Sequence, residues 1–130
     1  GKLPIWELAA NYTGCMIGYH AIPVIVDAYA KGIRDYDANL ALKAMVHSAI
    51  QDALGLNWYK ENGFIAASDE PESVSKHLEY SYDDWCIALL ADSLGKEEIA
   101  STFYQRGQYY KNLFDPYRTV RSSKRTVFKL

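Results

Sequence analysis

A chain of 130 residues, 49% hydrophobic and 23% charged, has the composition of one soluble globular domain or a piece of one. A net charge of −2 and a pI near 5.9 exclude a nucleic-acid footprint across the whole chain. The longest apolar runs, such as AIPVIV at 21–26, are too short to span a membrane, and residues 1–20 lack the basic start and apolar stretch of a signal peptide.

Residues 1–14 read as irregular, because Pro4, Asn11 and Gly14 break any period. Residues 17–31, IGYHAIPVIVDAYAK, predict a mostly buried helix that stops at Gly32, with Pro23 either starting its regular part or kinking it. Asp37 stands as an N-cap for 38–52, where Leu42, Met45, Val46 and Ala49 recur at three-four spacing, and Gly55 ends that helix. A short helical turn over 56–62 stops at Gly63, and a polar loop, FIAASDEP, follows. The third long helix, about 73–94, places Val74, Leu78, Tyr82, Trp85 and Leu89 on one apolar stripe, with Asp84 pointing away from it. Gly95 closes this helix. A fourth, 97–113, is interrupted by Gly107 and ends before Asp115-Pro116. Residues 117–130 carry Arg118, Arg121, Lys124, Arg125 and Lys129 without helical period or aromatic interleaving, and read as a solvated basic tail; only 119–121 and 126–128 resemble strands.

The pattern is all-α, four long helices joined as two hairpins. Gly32 and Gly95, which end the first helix of each pair, are too far apart for tetratricopeptide or ankyrin repeats, but suit a toroid of paired helices with a site built by loops at one end. Cys15 and Cys86 fit no metal or redox spacing and lie among apolar residues, so both read as small core residues. His20, His47 and His77 form no HxxxH or HExxH pattern, which argues against zinc. Neither a phosphate-binding loop nor a Ser-His-Asp arrangement is present. Asn11-Tyr12-Thr13 matches an N-glycosylation acceptor, a pattern frequent by chance.

Two clusters carry the candidate chemistry. In ESVSKHLEYSYDDWCIA (72–88), Glu79 and Asp83 are four apart and share a helix face, where two carboxylates repel unless something lies between them. Capping, pairing with Arg34, Lys60 or Lys76, or hydrogen bonds from sugar hydroxyls would each satisfy them, and Trp85 or Tyr80 could stack on a sugar ring. In LPIWELAANYTGCMIGYH (3–20), an exposed Trp6-Glu7 pair precedes a glycine-bracketed turn that can line a pocket, and His20 is either a packing histidine or a ligand.

Taken in order, LPIWELAANYTGCMIGYHAIPVIVDAYAKGI, ESVSKHLEYSYDDWCIALLADSLGK and YYKNLFDP resemble glycoside hydrolase family 92, bacterial exo-acting α-mannosidases, over residues 3–116. The resemblance implies part of an (α/α)6 toroid over 1–116, packed in the parent against its remaining helices and an N-terminal β-sandwich. It implies removal of terminal α-linked mannose from glycans with inversion, calcium as cofactor of the full-length family, and a secreted, periplasmic or cell-surface location in a bacterium. It places the acid, the base and the calcium ligands downstream of NLFDP, so no residue here is assigned as catalytic or metal-binding. The chain alone is expected to bind no calcium, to be inactive and to self-associate. The resemblance gives Trp6, Glu7, His20, Glu79, Asp83 and Trp85 a substrate-binding or buttressing role. Two departures stand out: Tyr12 occupies a position where the family usually has an acid, and YRTVRSSKRTVFKL does not follow the family pattern after Pro116. The alternative from another class is a non-catalytic helical binding or scaffolding module.

Overall fold

The computed structural model describes residues 3–114, so the expected basic tail and its two extended runs lie outside the described residues. The architecture is all-α, as the sequence predicts: α1 (Ala21–Ala30), α2 (Ala38–Ala49), α3 (Leu56–Asn62), α4 (Ser73–Ser93) and α5 (Glu97–Arg106), followed by a 3₁₀ turn at Tyr109–Leu113. A small antiparallel hairpin, β1 (Glu7–Leu8) and β2 (Asn11–Tyr12), replaces the irregular start, with Glu7 opposite Tyr12. Its turn is Ala9-Ala10 at φ 51° and 61°, a left-handed pair that alanine adopts only under constraint. The Thr13 amide and hydroxyl both donate to the Trp6 carbonyl at 3.1 Å and hold the hairpin closed.

Both long-hairpin stops are legible in chemistry. At Gly32 and Gly95 the chain turns left-handed (φ 88° and 68°), and in each case two amides past the helix end return to its last carbonyls. Ile33 donates to Ala28 and Lys96 to Ala91, the six-to-one bond that terminates a helix on glycine. Asp37 caps α2 by accepting from the Leu40 amide at 2.9 Å. α1 begins at Ala21 rather than 17, which puts Pro23 within the first turn, where helical amides have no intrahelical acceptor to lose. Glu97 and Glu98 in the first turn of α5 and Arg106 in its last complement the helix dipole.

α4 is the hub, packing against α1, α2, α5 and the 3₁₀ turn. Its inner face is not the predicted stripe. Val74, Leu78, Tyr82 and Trp85 are 39–51% exposed, whereas His77, Tyr80, Asp83, Asp84 and Ile87 are at most 1% exposed. Apolar periodicity alone misassigns this helix because the buried face includes histidine, serine and aspartate, each matched by partners from other elements. Asp84, expected to point away, is fully buried. Cys86 is buried as expected, but Cys15 is exposed, its Sγ 3.2 Å from the Thr13 hydroxyl on the loop before α1.

Gly107 sets the separation of α5 from α4. Its φ of −59° is ordinary, but a Cβ there would lie 3.1 Å from Trp85 Cβ and 3.2 Å from the Phe103 carbonyl. Gly107→Ala is therefore expected to destabilise the chain by about 1–3 kcal/mol through overpacking, read as a lower urea midpoint at unchanged slope.

Candidate functional site

The loop into α1 and the middle of α4 meet at His20. Its Nδ1 lies 3.2 Å from Asp83 Oδ1 and its Nε2 3.5 Å from Glu79 Oε2, so one imidazole bridges the two carboxylates one turn apart. Nδ1 shares a hydrogen bond with Asp83, whereas Nε2 and Glu79 stand at ion-pair distance. The hydrogen bond to Asp83 accordingly raises the His20 pKa above its ordinary value, against the cost of partial burial, and the charges of Asp83 and Glu79 add to the rise. The other oxygen of Asp83 accepts the Tyr19 amide at 2.8 Å, so both oxygens of this fully buried carboxylate are engaged. Glu79 is different: its side chain is 41% exposed. Gly18, at φ 81°, makes the approach possible, because a Cβ would fall 2.6 Å from His20 Cε1 and 3.1 Å from Asp83 Oδ2.

Directly behind lies a second network. The Tyr19 hydroxyl donates to Asp84 Oδ1 at 2.6 Å, Arg106 Nε donates to Oδ2 at 2.7 Å and Arg106 Nη2 to Oδ1 at 3.3 Å. The Tyr59 hydroxyl sits 3.1 Å from Asp84 Oδ2 and 3.0 Å from the Arg106 carbonyl, and Arg106 Nη2 also reaches the Ala49 carbonyl at 3.0 Å. Burial pushes the Asp84 carboxyl up, to about 6, with Arg106 and the two phenols opposing that rise. Burial also holds both phenols neutral, far above their ordinary range. This network joins the loop before α1 to α2, α3, α4 and α5, and it positions the backbone that carries His20.

Three of the residues singled out from sequence, His20, Glu79 and Asp83, thus come together. Trp85 does not share their face: it lies about 200° around α4 from Asp83. There it stacks with Tyr82 at 6.1 Å and lines a groove of about 430 Å³ with Leu78, Gln108 and Tyr110. Tyr80 is fully buried and stacks on Tyr19 at 5.0 Å, which removes it as a platform for a sugar ring. Trp6 is 52% exposed ahead of the hairpin, and Glu7 forms the hairpin through its backbone. The three basic residues considered as partners for the carboxylates lie elsewhere: Lys60 on Asp52, Lys76 on Glu70, and Arg34 over the Tyr29 ring. Tyr19, Tyr59, Asp84 and Arg106 were missed from sequence, although the adjacent Asp83-Asp84 pair, divided between two networks, was a usable signal.

Among the described residues no three His, Cys, Asp or Glu converge to hold a metal, and both oxygens of Asp83 already accept hydrogen bonds.

Residues 1–127 match the sequence model of the Glycosyl hydrolase family 92 catalytic domain. The chain belongs to this family. Among solved structures, a family GH92 α-mannosidase of Bacteroides thetaiotaomicron is 44% identical with a TM-score of 0.85, over 89% of this chain and 16% of its own. The same enzyme has been solved in complex with mannoimidazole. An inverting GH92 mannosidase of B. thetaiotaomicron VPI-5482 is 41% identical with a TM-score of 0.77, over 85% of this chain and 16% of its own. An uncharacterized secreted glycosidase of Arthroderma benhamiae is 35% identical over 131 residues, 88% of this chain and 17% of its own. The chain spans about one-sixth of the length of these relatives.

Proposed function

We propose that this chain is a stretch of the (α/α)6 catalytic toroid of a calcium-dependent inverting α-mannosidase, and that it contributes to binding terminal α-linked mannose without itself carrying the acid or the base. The observation that supports this best is the His20 bridge. Asp83, sealed and doubly hydrogen-bonded, orients an imidazolium, which in turn holds a half-exposed Glu79 carboxylate that can accept from sugar hydroxyls. Glu79 is then the residue that touches the glycan; His20 and Asp83 position it. Trp6, just ahead of the hairpin, and Glu7, in its first strand, are assigned to the pocket rim, whereas Trp85, on the far face of α4, buttresses the helix.

Inversion needs a carboxylic acid and a carboxylate about 6.5–9.5 Å apart, with a water between them and the sugar. Glu79 and Asp83 are both engaged with one imidazole and Asp83 is fully buried, so neither is assigned those roles. In this reading acid, base and calcium ligands come from other parts of the parent toroid, and the likeness to a secreted glycosidase supports action on glycans outside the cell. The exposed apolar face of α4 argues against a free-standing binding module, whose outer helix faces would be polar.

The test is mannose release from an α-1,2-linked mannobiose by the folded 130-residue chain, in calcium and in chelator. No release in either condition is expected. Calcium-dependent release would place acid and base within this chain and overturn the assignment.

A further inference from the structure

Adjacent carboxylates on α4 hold one residue of the loop before α1 at two points. The Tyr19 amide donates to Asp83 Oδ2 at 2.8 Å, and the Tyr19 phenol donates to Asp84 Oδ1 at 2.6 Å. The Tyr19 carbonyl accepts the Ile22 amide at 3.1 Å at the entry to α1, and the ring stacks on Tyr80 at 5.0 Å. Every polar group of Tyr19 is therefore engaged. Consecutive residues of a helix point about 100° apart. Asp83 thus meets the loop, while Asp84 turns toward α5, where Arg106 holds both of its oxygens. Among the described residues Tyr19 alone is bonded to both carboxylates.

We propose that Tyr19 is a positioning residue of the mannose-facing site, the tie that sets His20, and through it Glu79, against the buried Asp84–Arg106 pair. His20 follows Tyr19 directly, with a helical backbone (φ −68°, ψ −2°) and no capping hydrogen bond from its side chain, so its imidazole inherits the setting of the residue before it. The ring has to meet Asp83 at 3.2 Å and Glu79 at 3.5 Å from its two nitrogens. Such a constellation tolerates displacements of only about 0.5 Å. The amide bond to Asp83 fixes one point of the loop and leaves rotation about that point. Stacking on Tyr80 restrains the plane of the Tyr19 ring but not its travel within that plane. The phenol bond to Asp84 supplies the second fixed point. Tyr59 provides the contrast: its phenol lies 3.1 Å from the same carboxylate and is also buried, but it stands on α3 and bonds to Ser81 and Arg106 rather than to the loop. It stabilises the anchor without steering His20. That Glu79 faces mannose rests on the functional reading above; the tie from Asp84 to His20 stands on the hydrogen bonds.

An NMR titration of the His20 ring in the 130-residue chain tests this, the resonance being assigned by its loss in His20→Gln. The charged groups facing the ring are Asp83 and Glu79 on α4, and both stay in every variant. In the parent chain His20 should titrate above its ordinary value of about 6.5. Tyr19→Phe keeps the stack on Tyr80 and removes one hydroxyl. It should bring the midpoint back toward that value by at least about 0.5 pH unit, because the ring no longer meets both carboxylates squarely. Tyr59→Phe also takes a buried phenol from Asp84, yet should leave the midpoint within about 0.1 unit of the parent. Circular dichroism checks that each variant is folded. If Tyr19→Phe is not, Arg106→Lys serves: it keeps the cation, gives up the two-point grip on Asp84 and should shift the midpoint in the same direction. An unchanged midpoint in the folded variant overturns the proposal. So does an equal shift in Tyr59→Phe, which would make the buried network a general support with no tie to His20. The titration needs no sugar, so its outcome is independent of the mannose release that tests the functional reading.

Discussion

Asp84→Ala is expected to cost about 3–5 kcal/mol, a large part of the roughly 5–15 kcal/mol that holds a domain folded. The substitution leaves the buried Arg106 guanidinium facing a void instead of its carboxylate, and it strands the Tyr19 hydroxyl, whose 2.6 Å bond to Asp84 is its one hydrogen bond. Tyr59 retains the Arg106 carbonyl at 3.0 Å and suffers less. Asp84→Asn keeps the volume but not the charge, and the guanidinium remains uncompensated. Pairing Asp84→Leu with Arg106→Met removes both charges, a change that is often neutral for an isolated buried ion pair. Here it is expected to remain destabilising by about 1–3 kcal/mol, because the Tyr19 phenol and the Ala49 carbonyl lose their partners. Urea unfolding of the three variants checks the order. A double variant as stable as the parent would show that the phenols contribute nothing, and that the network is only an ion pair.

This hub was invisible in the sequence for a physical reason. Turn chemistry is local, so Gly32, Gly95 and the Asp37 cap could be read directly, and each does what its residue type predicts. The pairing of Glu79 with Asp83 on one face was equally legible, since it needs only the helical period. What binds them was not: His20 reaches them from about sixty residues away, through a left-handed Gly18. On α4 the hydrophobic period selected Leu78, Tyr82 and Trp85 as core. Three helices, however, press on the opposite face, and its polar side chains are satisfied by Tyr59, Arg106 and Tyr19. Two apolar faces on one helix make the period ambiguous; only tertiary partners resolve which is covered within this chain. The Ala9-Ala10 turn was missed because alanine carries none of the usual signals for positive φ.

The two functional-looking histidines should limit stability on opposite sides of neutrality. His20 has its pKa raised by the Asp83 hydrogen bond, so folding favours its protonated form. Its contribution is fully present below the unfolded value near 6.5 and is lost as pH rises through the raised folded value. His77 is the reverse. It is fully buried, its Nε2 donates to the Tyr109 carbonyl at 2.8 Å, and its Nδ1 has no partner, so the neutral ring is the one the site accepts. Burial lowers its pKa, against the pull of the Tyr109 carbonyl. Its contribution is present above about 6.5 and is lost as pH falls through the lowered folded value. The charged groups facing His20 are Asp83 and Glu79 on α4; around His77 stand Tyr59, Ser81 and Tyr109, none of them charged. Comparing the chain with His20→Gln isolates the first effect: the stability gap, on the order of 1–2 kcal/mol at pH 6, should shrink as pH rises to 9. Comparison with His77→Gln should instead show a gap that shrinks as pH falls from 7 to 5. A His20 gap that widened with pH would mean that the ring is held neutral. Glu79 would then be without its counter-ion, and the bridge proposed to orient it toward a sugar would not exist in the working protein.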